Sequence, residues 1–261
     1  MNYQFDSALW PTFIVFFIGS CIGSFLNVCI HRIPQKVSIV YPGSSCPKCG
    51  KGIAWWENIP ILSYIFLGGR CSGCKSRISM RYPIVEILSG SVALVLFYRF
   101  GISLQFFYYF LFLELLIVIS FIDLDHKIIP DVLSLTGIVI GALISHFVAD
   151  HGLFNSLLGI VLGGGILFLV AWAYFICTRR EGLGGGDIKL LAMIGAFLGW
   201  KAIPFVLFLS ALTGSIFGGI LILVKGAGRH SEIPYGPFLS LGAAVYLICP
   251  NFEKFFLSLL V

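Results

Sequence analysis

Hydrophobic positions in this chain fall in long unbroken runs, not in the two-residue alternation of strands or the single stripe of a soluble helix. The runs cover about 9–30, 83–99, 102–122, 132–149, 156–177, 188–200, 203–224 and 237–258. A helix needs roughly 20 mostly apolar residues to cross the hydrocarbon core of a bilayer. The sixth run is short, and reads as a tilted, partly buried or re-entrant helix. The pattern predicts an all-α polytopic membrane bundle of about eight transmembrane helices. An outer-membrane barrel would show alternating strands of roughly ten residues instead, and no such alternation occurs. Inside the runs, Gly19 and Gly23, Gly159 and Gly163, and Gly214 and Gly218 are each four apart. Such pairs share a helix face and let backbones approach closely.

Composition narrows the class further. Of 261 residues, 58% are hydrophobic and only 11% charged, against about 25% charged in a soluble domain. A chain this apolar cannot cover a globule with solvated side chains, and it is neither disordered nor a small disulfide-stapled module. The first Lys or Arg is Arg32, beyond the first run, so the start lacks the basic region of a signal peptide. Eight basic residues, Arg32, Lys36, Lys48, Lys51, Arg70, Lys75, Arg77 and Arg81, then fall in the 31–82 segment. Threading eight spans puts Lys127, Arg179, Arg180, Lys189, Lys225 and Arg229 on the same side, and only Arg99, Lys201 and Lys254 opposite. Cytoplasmic loops carry the excess of Lys and Arg. The expected topology is therefore an N-terminus outside and a cytoplasmic 31–82 loop. The net charge of +5 reads as topology and contact with the lipid bilayer, and no nucleic acid is implied. The expected organisation is 1–30 as the first span, 31–82 as a cytoplasmic loop and 83–261 as a second, larger helical bundle.

The loop carries a specific motif. Cys46-Pro-Lys-Cys49 and Cys71-Ser-Gly-Cys74 are two C-x2-C pairs separated by 21 residues, close to a four-cysteine zinc signature. Each pair can form a knuckle whose amides point at the thiolates, and four sulfurs close a tetrahedral shell around Zn²⁺. A filled shell has no place for a catalytic water, so such a metal is structural. Two disulfides are the alternative, and a reducing cytosol disfavours them. Cys21, Cys29, Cys177 and Cys249 lack partner spacing and read as packing residues.

Acids at span ends carry the second signal, because an ionisable group there is a functional candidate by default. The third span ends Phe121-Ile-Asp123-Leu-Asp125-His126, and the approach to the sixth reads Gly182-Leu-Gly184-Gly185-Gly186-Asp187-Ile-Lys189. On the threaded topology Asp123 and Asp187 share the cytoplasmic boundary. Two carboxyls brought together cannot both ionise, so they share a proton, which is the chemistry of an aspartic-protease dyad. The glycines before Asp187 leave room for a substrate backbone, but Gly-Gly-Gly-Asp reads equally as a flexible loop with an aspartate N-cap. Asp131, after Pro130, reads as an N-cap. Asp125 and His126 either assist the pair or are a solvated loop end. Lys189 reads as a snorkelling or helix-start residue that is also placed to tune Asp187. Glu114, mid-span, has no readable role.

These residues resemble the bacterial type IV prepilin leader peptidases, which are also N-methyltransferases and belong to the GxGD class of intramembrane aspartic proteases. The resemblance runs through Gly23-Ser-Phe-Leu-Asn27-Val, His31-Arg-Ile-Pro34, the four-cysteine loop with Glu57-Asn58-Ile-Pro60, Arg81-Tyr-Pro83 and Glu86. It continues through Asp123 to Asp131, Gly184-x-Gly186-Asp187-x-Lys189 and Ile233-Pro-Tyr-Gly236-Pro237-Phe. It implies a multi-pass protein of the bacterial inner membrane. Its substrates would be type IV prepilins, type II secretion pseudopilins, or both, cut after a glycine on the cytoplasmic side. The new N-terminal residue would then be methylated with S-adenosylmethionine. The family's catalytic aspartates map onto Asp123 and Asp187, and its zinc ligands onto Cys46, Cys49, Cys71 and Cys74. No glycine fingerprint of a soluble methyltransferase is visible, so no residue is assigned to S-adenosylmethionine. A transporter would place its acids near the midplane between internal repeats, and none are evident. An assembly scaffold would use the basic loop to dock a partner, and would leave the glycines before Asp187 without a purpose.

Overall fold

A computed structural model describes residues 9–148, 152–179, 184–225 and 234–249. Among them are nine α-helices and no extended strand. The helices are α1 Leu9–Arg32, α2 Leu62–Phe66, α3 Arg81–Phe100, α4 Leu104–His126, α5 Asp131–Val148, α6 Gly152–Thr178, α7 Gly185–Leu198, α8 Ala202–Lys225 and α9 Gly236–Ile248. Each apolar run of the sequence has become one helix. Six of them, α1, α3, α4, α5, α6 and α8, are long and apolar enough to cross a membrane, and the protein is a multi-pass membrane protein. Arg180, Gly182, Arg229, Ile233 and Lys254 lie outside the described residues, as does the end of the run expected at 237–258.

The chain divides into two compact units, Met1–Phe106 and Phe107–Val261. In the first, α1 packs along α3 through the small residues expected to allow it. A Cβ on Gly19 would lie 2.7 Å from that of Ala93, and one on Gly23 would lie 2.8 Å from the Cα of Glu86. The Ser89 hydroxyl donates to the Gly19 carbonyl at 2.7 Å, and Asn27 Nδ2 donates to the carbonyls of Gly23 and Tyr82. Ser89 and Asn27 thus find partners across the apolar interface, whereas the buried Ser20 hydroxyl beside Gly90 has none among the described residues.

The second unit is organised around α7, a helix too short to be among the six candidate spans. At 14 residues and ~1.5 Å per residue, α7 is about 21 Å long, less than the roughly 30 Å hydrocarbon core. Every residue from Leu190 to Leu198 is buried, as expected of a helix that is apolar all round. It packs on α5, α6 and α9. Gly159 of α6 and Gly195 of α7 meet backbone to backbone, each occupying the space a Cβ on the other would need. One turn on, Gly163 backs onto the Leu191 carbonyl. On the other side, Phe112 of α4 stacks on Phe197, with ring centroids 4.6 Å apart. The Tyr108 hydroxyl donates to the Gly141 carbonyl at 3.0 Å. Gly214 of α8 makes only ordinary contact with Phe238 of α9.

Gly195→Ala should therefore push α6 and α7 apart, with a loss of about 1–3 kcal/mol from overpacking. Gly165→Ala, on the same α6 with open space around it, should be neutral or slightly stabilising, since alanine favours the helix. Thermal unfolding of both variants in detergent checks the pair. Equal midpoints would refute the close-approach reading.

Candidate active site and metal centre

In the second unit Asp123 lies in the last turn of α4 and is buried. Its Oδ2 accepts the Gly236 amide at 2.9 Å. Gly236 opens α9, so the carboxyl caps the positive end of that helix. A Cβ on Gly236 would stand 2.8 Å from Asp123 Oδ2, so glycine is required for the amide to come this close. Asp187 is the third residue of α7, half-buried, in the first turn of its own helix. The Gly184 amide bonds its carboxyl, and the Asp123 charge acts on it directly. The structure thus brings the two predicted aspartates into one electrostatic site, each at a helix N-terminus. Ile129 lies against both Gly186 and Gly236 and holds the two helix starts together.

The glycine-rich stretch divides its work. The N-cap of α7 is Gly184, not Asp187; Asp187, as the third residue, still serves the helix start by accepting the Gly184 amide. Gly186 is needed because a Cβ there would come 2.9 Å from that of Ile129, whereas Gly185 faces open space. Only Gly185 therefore keeps the room for a substrate backbone expected of the whole run. Asp131 is the first residue of α5, and its Oδ1 pairs with Lys189 Nζ at 2.6 Å. The two residues read separately as a cap and a snorkelling side chain are one ion pair joining α5 to α7. Asp125 and His126 are exposed, and Glu114 is buried in α4. Tyr235 had no assigned role in the sequence. It shares a 2.6 Å hydrogen bond with the Ser210 hydroxyl and feels the charge of Asp187. Its place beside Gly236 in the Tyr-Gly-Pro start of α9 was the available signal.

In the first unit Cys46, Cys49, Cys71 and Cys74 converge, with all four sulfurs within 4.8 Å of one another. None is in a disulfide. The Cys46–Cys74 and Cys49–Cys71 sulfurs are 3.9 and 4.0 Å apart, close to the roughly 3.8 Å edge of a tetrahedron with Zn–S bonds of ~2.3 Å. Two alike turns build the cluster. Cys46 N–H donates to the Lys51 carbonyl and Gly50 N–H to the Cys46 carbonyl. Cys71 N–H and Lys75 N–H repeat this pattern with the Ser76 and Cys71 carbonyls. In both turns the residue after the second cysteine is left-handed, at φ 71° for Gly50 and 57° for Lys75. The Cys49 and Lys48 amides aim at the Cys46 sulfur and push its thiol down to about 6. Four thiols so placed can hold one metal ion. Beside the cluster lies a cavity of about 350 Å³, lined among others by Lys51, Glu57, Asn58, Tyr64, Arg81 and Glu86.

Comparison with known proteins agrees with both halves. Residues 17–100 match the Bacterial Peptidase A24 N-terminal domain, and residues 110–219 match the Type IV leader peptidase family. Among curated proteins, the chain is 37% identical over 254 residues to a Prepilin leader peptidase/N-methyltransferase of Pseudomonas aeruginosa, covering 88% of each. It is 36% identical over 261 residues to the protein of that name from Aeromonas salmonicida, covering 90% of this chain and 89% of the relative. The one from Myxococcus xanthus is 40% identical over 228 residues, covering 85% of this chain and 67% of the relative. No solved structure matches.

The depressed Cys46 thiol predicts a thiolate absorbance step near pH 6 in chelator-treated protein, reduced but not abolished in Cys46→Ser, because the Cys74 thiol is lowered as well. Above that pH the group is ionised and ready for metal, and below it protonation competes. A wild type that shows only the step of ordinary thiols, near pH 8.5, would contradict this geometry.

Proposed function

Because the chain belongs to the type IV leader peptidase family, we propose that it removes the leader peptide from type IV prepilins or type II secretion pseudopilins and then methylates the new N-terminus. What supports the peptidase half is that Ile129 joins the starts of α7 and α9, beside Asp187 and Asp123, so that the charge of one aspartate reaches the other. The two carboxyls share one proton. The ionised member takes a proton from a water, whose oxygen attacks the carbonyl of the glycine before the scissile bond. The protonated member gives its proton to the carbonyl oxygen as the tetrahedral diol forms. Collapse breaks the C–N bond, the departing nitrogen takes the proton the pair had gained from water, and a diol hydroxyl returns its proton to the pair as the new carboxyl forms, which restores the shared-proton state. The Gly236 amide fixes Asp123 throughout, and the half-buried Asp187 is the more open to substrate. Gly185 leaves space where an extended peptide would pass.

The four cysteines are read as the ligands of a structural Zn²⁺. A closed thiolate shell leaves no open position, so the ion's role is to tie the two knuckles together. For methylation, S-adenosylmethionine when bound supplies an electrophilic methyl group to the uncharged N-terminal amine. The cavity beside the cysteines suits its mixed chemistry. Glu57 is held ionised there by Ser72, the Ala54 amide and Lys51, which keep its carboxyl below the usual range, so it offers negative charge to a cationic sulfonium. Tyr64 offers an aromatic face and Asn58 amide hydrogen-bonding groups. Residues 1–30 are read as the first span, 31–82 as the metal-binding loop and 83–261 as the stretch containing the peptidase bundle, of which α3 packs with α1 in the first unit. The distribution of basic residues supports a periplasmic N-terminus in the bacterial inner membrane, with the loop and both aspartates on the cytoplasmic side.

Asp123→Asn and Asp187→Asn should each abolish cleavage, at least a thousandfold, while the protein still inserts and folds, because asparagine keeps the volume. Asp131→Asn should cleave normally, since its pair with Lys189 is exposed and worth at most about 1 kcal/mol. Incubation in membranes with a prepilin bearing a Gly-Phe junction, followed by mass spectrometry, reads all three. Near-normal cleavage in either dyad variant removes that residue from the mechanism.

Purified protein should contain one zinc per chain. Replacing Cys46 and Cys49 together by Ser should lose it and impair methylation more than cleavage. Asp187→Asn given an already trimmed pilin should still methylate it. Failure of that variant to do so, with native-like unfolding, would mean that the two activities share their machinery.

A further inference from the structure

The 31–82 loop contains a segment that neither the cysteine cluster nor the aspartate pair uses, the turn Trp55–Asn58 and the following α2. Its place along the spans is unusual. The Ile61 amide donates to Glu86 Oε2 at 2.7 Å, and Glu86 is buried in α3. The Cα of Glu86 lies against Gly23 of α1, nine residues before that helix ends at Arg32. At ~1.5 Å per residue this is about 13 Å inside the end of α1. The Glu86 side chain leans back toward the start of α3, so the Ile61 amide meets α3 within its first turns. Pro60 agrees, since it lines a cleft with Cys21, Ser24 and Phe25 of α1. Ile61 is fixed there at φ 65°, a conformation that β-branched residues avoid. The segment lies along the flanks of the spans instead of standing off them.

The exposed surface of this segment is largely apolar. Trp55 is 76% exposed, Trp56 59%, Ile65 65% and Phe66 84%, and the two indoles meet edge to face with centroids 5.5 Å apart. Water is a poor partner for such a patch, whereas indole rings favour the membrane interface. The backbone is prepared for low-water surroundings. The amides of Ile61, Leu62, Ser63, Ile65, Leu67, Gly68, Gly69 and Arg70 all have acceptors within the protein. Around the patch, the loop sets eight Lys and Arg against the single acid Glu57, a balance that attracts anionic headgroups.

We propose that Trp55–Phe66 is an interfacial anchor whose occupant is the bilayer itself, with Trp55, Trp56, Ile65 and Phe66 embedded at the boundary of headgroups and acyl chains. The anchor holds the metal-binding loop flat on the membrane surface, where it would otherwise swing between α1 and α3.

The full chain is reconstituted into bilayers of phosphatidylcholine and phosphatidylglycerol, and tryptophan emission is compared with that of Trp55→Phe/Trp56→Phe. The difference spectrum belongs to the exposed pair, and phenylalanine at two exposed sites leaves the fold intact, as retained metal content verifies. The pair's emission should fall by at least half in lipids brominated near the carbonyl end of their chains. It should fall less with bromines near the chain ends and be protected from aqueous iodide. Quenching by iodide without quenching by bromolipid overturns the anchor. Protection from iodide that appears only on adding a prepilin peptide also overturns it, by making the patch a protein-docking surface.

Discussion

The close approach of α6 and α7 through Gly159 and Gly195 is the constraint on which the second unit depends. A helix of 14 residues cannot match a bilayer by itself, and it has no hydrophobic drive to leave lipid for other apolar helices. In such surroundings association comes from close packing. Backbone contact at Gly159 and Gly163, the aromatic stack of Phe112 on Phe197 and the Ser156 hydroxyl bonded to the Ala196 carbonyl at 2.7 Å supply it. With α7 seated this way its start falls at a fixed depth, and Asp187 goes with it.

A second constraint follows from burial of charge. A carboxylate removed from water needs hydrogen-bond donors or it stays neutral. Asp123 finds one in the start of α9, and Asp187 has the start of α7. Helix N-termini present unsatisfied amides wherever they occur, so two helices that begin together form a ready cradle for two carboxyls. The cysteine cluster solves the same problem at a different scale. Its knuckles turn backbone amides toward sulfur, which favours the thiolate needed for metal binding. In both places the main chain provides the polarity, and the side chains only have to be small enough to permit it.

That distinction explains what was legible in the sequence. Helices were visible because each apolar run is a local property: seven runs became helices within a few residues, and the described part of the eighth is helical from Gly236 to Ile248. The cysteine spacing and the acids at span ends were legible for the same reason. What was hidden is pairwise and distant. Nothing in Pro130-Asp131 or in Asp187-Ile-Lys189 says that Asp131 meets Lys189, because the pair joins helices 58 residues apart. Nothing in Gly184-Gly185-Gly186 separates the glycine packed on Ile129 from the one facing open space. Glu86 read as part of a motif, and its bond to the Ile61 amide appears only when the loop is folded against α3.

The order of the two proposed reactions needs no regulatory device. Before cleavage, the nitrogen to be methylated is an amide, whose lone pair is delocalised into the carbonyl and is a poor nucleophile. Hydrolysis converts it into an amine with an ordinary pKa of about 7.7, of which a useful fraction is uncharged near neutrality. The peptidase step therefore creates the nucleophile that the transferase step consumes, and the reverse order is chemically closed. If the two proposed sites lie in separate compact units, each can evolve its own tuning, the aspartates for a shared proton and the loop for a cationic donor. Neither has to sense the state of the other. The single requirement that remains is positional: the trimmed chain's new end must stay at the membrane boundary long enough to be reached, which a methyl donor site close to the lipid surface makes easier to meet.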